Sequence, residues 1–178
     1  MAQVSSPAGV TIVVVAVAAT SWLKLRECRG KASEIAELYR VNDARVAVVD
    51  IKDVMNLSYI RATLSQLIHG GKPARIVNIS SVVAHLYPVG LSDYACSKTG
   101  LNAPHHNLEA ETRRLGYDMR TRFFLVEVGQ MQTPLFSWIK PPNSVLAPVL
   151  EPAYVAQKIY DAVNIGSDGV IQLPKYAS

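Results

Sequence analysis

"RIVNISSVVAHLYPVGLSDYACSK", Arg75–Lys98, passes from a pattern that suits a buried strand to one that suits a helix. "RIVNIS" (Arg75–Ser80) is short, mostly apolar and rich in β-branched isoleucine and valine, which predicts a strand. From Ser92 to Leu115 the pattern predicts a helix that Gly116 stops. A helix turns about 100° per residue, so Tyr94 and Lys98 fall on nearly one face. Alone, a tyrosine and a lysine at that interval are better explained by two surface side chains. Ser81 changes the weighing. It stands thirteen residues before Tyr94, at the carboxyl end of the predicted strand, where open α/β sheets bind their ligands.

The same alternation extends in both directions. Val10–Ala18 and "ARVAVVDI" (Ala44–Ile51) read as buried strands, the second nearly continuous in apolar residues as a strand covered on both faces should be. A helical stretch lies near Ala32–Tyr39. Another begins at Asp53, with Val54, Leu57, Ile60, Leu64, Leu67 and Ile68 at the helical period and Gly70 and Gly71 ending it. "TRFFLVEV" (Thr121–Val128) is a further strand. Residues 134–152 form a Pro-rich loop with a short helix near Leu135–Ile139. Pro152 suits the first turn of a last helix whose apolar face is Val155, Ile159 and Val163, and "GVIQLP" (Gly169–Pro174) is a final strand. Strands alternating with helices predict an α/β fold: a Rossmann-like parallel sheet with flanking helices, about five strands in all. The expected organisation is one domain over residues 1–178, with residues 1–9 as a flexible lead.

Composition limits the functional classes. With 178 residues, 49% hydrophobic and 18% charged, the chain suits a single domain with a real core. A net charge of +4 is mild. Lys24, Arg26, Arg29 and Lys31 are interleaved with Glu27, Glu34 and Glu37, which describes a solvated helix face and not a nucleic-acid stripe. Cys28 and Cys96 match no metal or redox spacing and read as reduced thiols of an intracellular protein. The run Ala8–Leu23 is shorter than the roughly 20 residues that span a bilayer. Its valine density favours a strand, with a signal segment or membrane anchor as the alternatives. His105, His106 and Glu109 could suggest a metal site. Adjacent histidines on a helix point in different directions, so a solvated or helix-packing role is the favoured reading and no metal is expected.

Tyr94 and Lys98 at helical spacing permit acid–base chemistry. A tyrosine ordinarily titrates at about 10, and a neighbouring ammonium favours its phenolate. Such a tyrosine can exchange a proton with an alcohol or carbonyl oxygen. Ala95, Cys96 and Ser97 are small enough to let a cofactor approach the helix.

"RIVNISSVVAHLYPVGLSDYACSKTGLNA" resembles the short-chain dehydrogenase/reductases, in the flavour of fungal members similar to retinol and 17β-hydroxysteroid dehydrogenases. Their strand-end serine matches Ser81, their tyrosine Tyr94 and their lysine Lys98, without a gap. Downstream, "VEVGQMQTPLF" is similar to the P-G-x-x-x-T segment beside the nicotinamide: Gly129 and Thr133 match, and Val128 replaces the proline. "GKASEIAELYRVNDARVAVVDI" looks like the family's first helix and second strand. Gly30 and Ala32 match the last two glycines of T-G-x-x-x-G-x-G, and Asp50 the strand-end acid that holds the adenosine ribose.

The resemblance implies an NAD(P)-dependent oxidoreductase acting on a small apolar secondary alcohol or ketone, with NAD favoured over NADP by Asp50. Tyr94 would be the general acid/base, Lys98 its electrostatic partner and a ligand of the nicotinamide ribose, and Ser81 the residue that positions the substrate oxygen. Gly30, Asp50, Tyr94, Lys98, Gly129 and Thr133 would contact the cofactor. A cytoplasmic protein, a homodimer through the tyrosine-bearing helix and peripheral contact with an intracellular membrane are further expectations. Three departures point to a rival reading, a shortened chain that keeps the fold without turnover. Arg26 and Leu25 stand where the first glycine and the threonine belong. The N-N-A-G strand is missing, so the chain resembles a member with an internal deletion, or one in which Val10–Ala18 is the remnant of that strand. Pro104 falls inside the tyrosine helix, where a kink is expected.

Overall fold

"TRFFLVEV" is buried along almost its whole length, which requires cover on both faces of the strand it forms. The computed structural model describes residues 11–17, 45–51, 65, 73–132, 147–166 and 168–175. Within them the chain forms β1 (Thr11–Val17), β2 (Arg45–Ile51), β3 (Ala74–Ser81), α1 (Val83–Leu86), α2 (Ser92–Arg114), β4 (Thr121–Val128), α3 (Pro152–Ile165) and β5 (Gly169–Leu173). The five strands pair in parallel in the order β2-β1-β3-β4-β5. This is the Rossmann-like α/β sheet that the alternating pattern predicts.

Helices cover both faces of the sheet. Phe124, Val126 and Val128 pack with Val77 against Val155, Ala156, Ile159 and Val163 of α3. Phe123, one residue out of step, meets His105 of α2 with ring centroids 5.8 Å apart. Successive residues of β4 thus serve opposite layers, and a mostly apolar run there is the expected composition. Pro152 opens α3 at its first turn, and Gly166 ends it at φ 80°, a left-handed backbone that glycine adopts without a Cβ penalty.

Residues 11–17 form a strand, as their valine density favours. No helix among the described residues is long and apolar enough to cross a membrane. α2 is helical from Ser92 to Arg114 with Pro104 inside it. The proline withdraws one N–H, yet helix continues on either side, so the Tyr94–Lys98 turn and the length beyond it are one element. The turn α1 has no counterpart in the sequence reading. The helical readings near Ala32–Tyr39 and Leu135–Ile139, the flexible lead at 1–9 and most of the loop at 134–152 lie outside the described residues, as does the helix from Asp53 apart from Ser65.

The strand order sets the place of a site. The chain runs from β1 outward to β2, then crosses back past β1 to β3 and onward to β4 and β5. The reversal lies between β1 and β3. In open α/β sheets the crevice at the carboxyl ends of the two strands at such a reversal is where ligands bind. β3 ends at Ser81.

Candidate active site

Lys98 reaches that crevice from α2. Its ammonium donates to the carbonyl of Ile79 at 2.9 Å, two residues before Ser81, and lies 5.6 Å from the centre of the Tyr94 ring. Lys98 is only 4% exposed. An ammonium this buried must have anionic or dipolar partners, and the carbonyl end of a parallel sheet supplies dipoles. Asp93 in the first turn of α2 suits the positive end of the helix dipole. Tyr94 is half-buried.

Ser81 is buried at the end of β3. Its hydroxyl donates to the Val128 carbonyl at 3.0 Å and accepts from the Val83 amide at 3.3 Å. A serine hydroxyl has one proton to donate, so Ser81 must turn from Val128 before it can donate to a substrate oxygen. Val128, where the resembling segment has proline, also receives the Val82 amide on its carbonyl at 3.2 Å. Gly129 follows directly, with its amide donating to Leu173 at 2.7 Å. Asp50 is the penultimate residue of β2, in register with Ala16 of β1. The structure thus brings Ser81, Tyr94, Lys98 and Gly129 to the carboxyl edge of β3 and β4 and places Asp50 at the same edge of β2. Gly30 and Thr133 lie outside the described residues.

A buried polar seam, unforeseen in the sequence, joins α2 to β3. Asn78 bonds His105 through Nδ2 and Nδ1 at 2.7 Å, and Ser80 Oγ donates to Asn102 Oδ1 at 2.6 Å. Asn102 Nδ2 approaches Glu127 Oε1 at 3.5 Å, Gln172 Nε2 donates to Glu127 Oε2 at 3.1 Å, and His85 Nε2 bonds Glu127 Oε1. Glu127 is buried. The available signal was the single acid in the otherwise apolar "FFLVEV".

His105 is fully buried, as the helix-packing reading expects, while His106 is exposed. These two and Glu109 each bring one ligand-type atom within 4.8 Å of the others. Glu109 also pairs with Arg113 at 3.2 Å. Burial first, and His106 beside it second, pull the His105 pKa from 6.5 to about 4. Between those values the unfolded chain holds more protons than the folded one, so stability from this group is complete above about pH 6.5 and is lost as pH falls towards 4. The free energy of unfolding should drop by about 2–4 kcal/mol on this account between pH 7 and 4. Urea midpoints across that range check it. His105→Gln should flatten the dependence, and an unchanged slope would place its origin elsewhere.

Comparisons with known proteins agree with this fold. The chain is 34% identical over 110 residues, 62% of its length, to the uncharacterized oxidoreductase TDA5 of Saccharomyces cerevisiae, of which it covers 33%. It spans about a third of the length of the curated relatives it matches. Its fold is similar to BdcA, solved in complex with NADPH (TM-score 0.53, 12% identity, 96% of this chain and 94% of that one). It is also similar to a short chain dehydrogenase from Burkholderia cenocepacia, solved in complex with NADP (TM-score 0.59, 14% identity, 96% and 89%). The family model for short chain dehydrogenases matches residues 29–142, more than half of the sequence, and carries Ser81, Tyr94 and Lys98 within it, so the chain belongs to the short-chain dehydrogenase family.

Proposed function

We propose that the protein is an NAD(P)-dependent oxidoreductase that interconverts an apolar secondary alcohol and its ketone. The observation that carries this reading is the buried Lys98 ammonium beside Tyr94 at the β1/β3 reversal. The residues there fit a nicotinamide dinucleotide: a buried cationic donor at the carboxyl edge suits a ribose diol, and Asp50 stands one residue before the end of the strand beyond. When bound, the dinucleotide supplies or accepts the hydride.

The chain's own residues handle the proton. Tyr94 gives its hydroxyl proton to the substrate oxygen in reduction and takes one in oxidation. Lys98 favours the phenolate that reduction leaves behind. Ser81 turns its hydroxyl from Val128 to the same oxygen and fixes its position. Leu86, Tyr87 and Val89, exposed on the segment between Ser81 and Tyr94, support an apolar substrate.

A second reading, a chain that keeps the fold without turnover, is favoured by Arg26 and Leu25 at the glycine-loop positions and by the missing N-N-A-G. Titration with NADH and with NADPH, followed by nicotinamide fluorescence, separates the two. Saturation by either below about 1 mM is expected of the oxidoreductase, a range usual for small ligands of enzymes. No binding of either at that concentration removes it in favour of the second.

A further inference from the structure

We propose that Glu127 and His85 form a clasp that fixes the turn joining Ser81 to Tyr94, which makes Glu127 a positioning residue; only its effect on turnover rests on the oxidoreductase reading. Glu127 is the penultimate residue of β4 and is buried between Val126 and Val128. An apolar side chain would fill that position without the cost of desolvating a carboxylate. Four side chains meet or approach it or its partner: His85, Asn102, Gln172, and Ser80 through Asn102. Of these residue types only histidine can carry a positive charge. The His85 side chain is itself more than half exposed, so the bond to Glu127, rather than burial, orients it.

His85 belongs to α1, a single turn that starts two residues after Ser81. Its internal bonds are few: the His85 and Leu86 amides donate to Val82 at 3.0 and 3.2 Å, and Tyr87 to Val83 at 3.4 Å. One helical turn does not persist in water without tertiary support. Beside the Val83 amide bond to Ser81 and the burial of Ala84, two side-chain ties to neighbouring elements supply that support. Thr99 Oγ1 donates to the Ala84 carbonyl at 3.1 Å from α2, and Glu127 holds His85 from β4. α1 is therefore moored to the helix that carries Tyr94 and to the strand whose last carbonyl holds Ser81. Beyond it the chain turns through Tyr87 at φ 45° and Gly90 at φ 80° into α2. If His85 leaves, the buried Glu127 side chain loses a hydrogen-bond partner, so displacement of α1 is opposed from inside the sheet.

Amide hydrogen exchange of His85→Ala, Glu127→Gln and the double variant tests the clasp. In each single variant the amides of His85, Leu86 and Tyr87 should exchange about tenfold faster, with Val77 and Val126 unchanged. The double variant should be no faster than the faster of the two singles, because the His85–Glu127 bond that both change can be lost only once. Unchanged exchange in His85→Ala, or a double variant equal to the product of the singles, overturns the proposal. His85 lies at the surface, so its variant carries the test even if Glu127→Gln folds poorly. In the active enzyme kcat should fall about tenfold with KM and dinucleotide Kd unchanged. A rise in KM at constant kcat would overturn the positioning role. If the unsubstituted protein binds no dinucleotide, the oxidoreductase reading fails, while the exchange measurement still decides the clasp.

Discussion

Tyr94→Phe should lower kcat by about 10²–10⁴-fold, the range that general acid–base groups contribute, and leave dinucleotide binding within about twofold. The substitution removes one oxygen and nothing else. The ring that faces Lys98 at 5.6 Å is retained, so the ammonium keeps that neighbour and its bond to Ile79. Tyr94 is only half-buried, so the fold should lose little. The loss therefore belongs to the proton that no other group at the substrate oxygen replaces: Ser81 can donate a hydrogen bond there, but a serine hydroxyl is too weak an acid to release its proton. Steady-state kinetics with a secondary alcohol and with its ketone, beside a fluorescence titration of the cofactor, measure both halves. Turnover retained within about tenfold would remove Tyr94 from the chemistry, and lost binding with unchanged kcat would make it a cofactor ligand alone.

The parts of this molecule that a sequence discloses are those set by local pattern. β4 is legible as "TRFFLVEV" because its short, mostly apolar run suits a strand covered on both faces. α3 is legible from Pro152 at its start and the spacing of Val155, Ile159 and Val163, all buried. That Ser81 ends a strand and that Tyr94 and Lys98 share one helix was legible because both are set by local pattern. What the pattern hid depends on contacts distant in sequence. Glu127 and His85 are 42 residues apart, and Ser80 and Asn102 are 22 apart. Nothing local to His85 marks it as the partner of an acid in β4. The turn α1 was hidden for the same reason: four residues are too few to show a period, and their helical form depends on ties to α2 and β4. The strand order was also beyond the pattern, since alternation of strands and helices predicts a parallel sheet but not where the chain reverses.

The second large effect is on stability. Phe124→Ala should cost about 3–5 kcal/mol, a large fraction of the 5–15 kcal/mol that holds a typical domain. Phe124 is fully buried and packs in the cluster that joins β3, β4 and β5 to α3. Its partners in register are Val77 on one side and Gly169 on the other. Cross-strand partners share a face of the sheet, and a glycine offers no side chain to move into the space a lost ring leaves. The cavity stays open on that flank, which places the cost towards the upper end of the range. Leu115→Ala, at a position 60% exposed, is the matched control and should change stability by less than about 0.5 kcal/mol. Urea unfolding followed by circular dichroism gives both values. The comparison also bears on the site. β4 presents Val128 to Ser81 and Glu127 to His85, so a strand loosened at Phe124 should lose activity in step with its folded fraction as urea is raised. Activity that disappears well before the unfolding transition would show that the carboxyl edge opens independently of the core beneath it. A cost below about 1 kcal/mol, within the ordinary range of mutations outside the core, would mean that β4 is not the centre of the packed sheet.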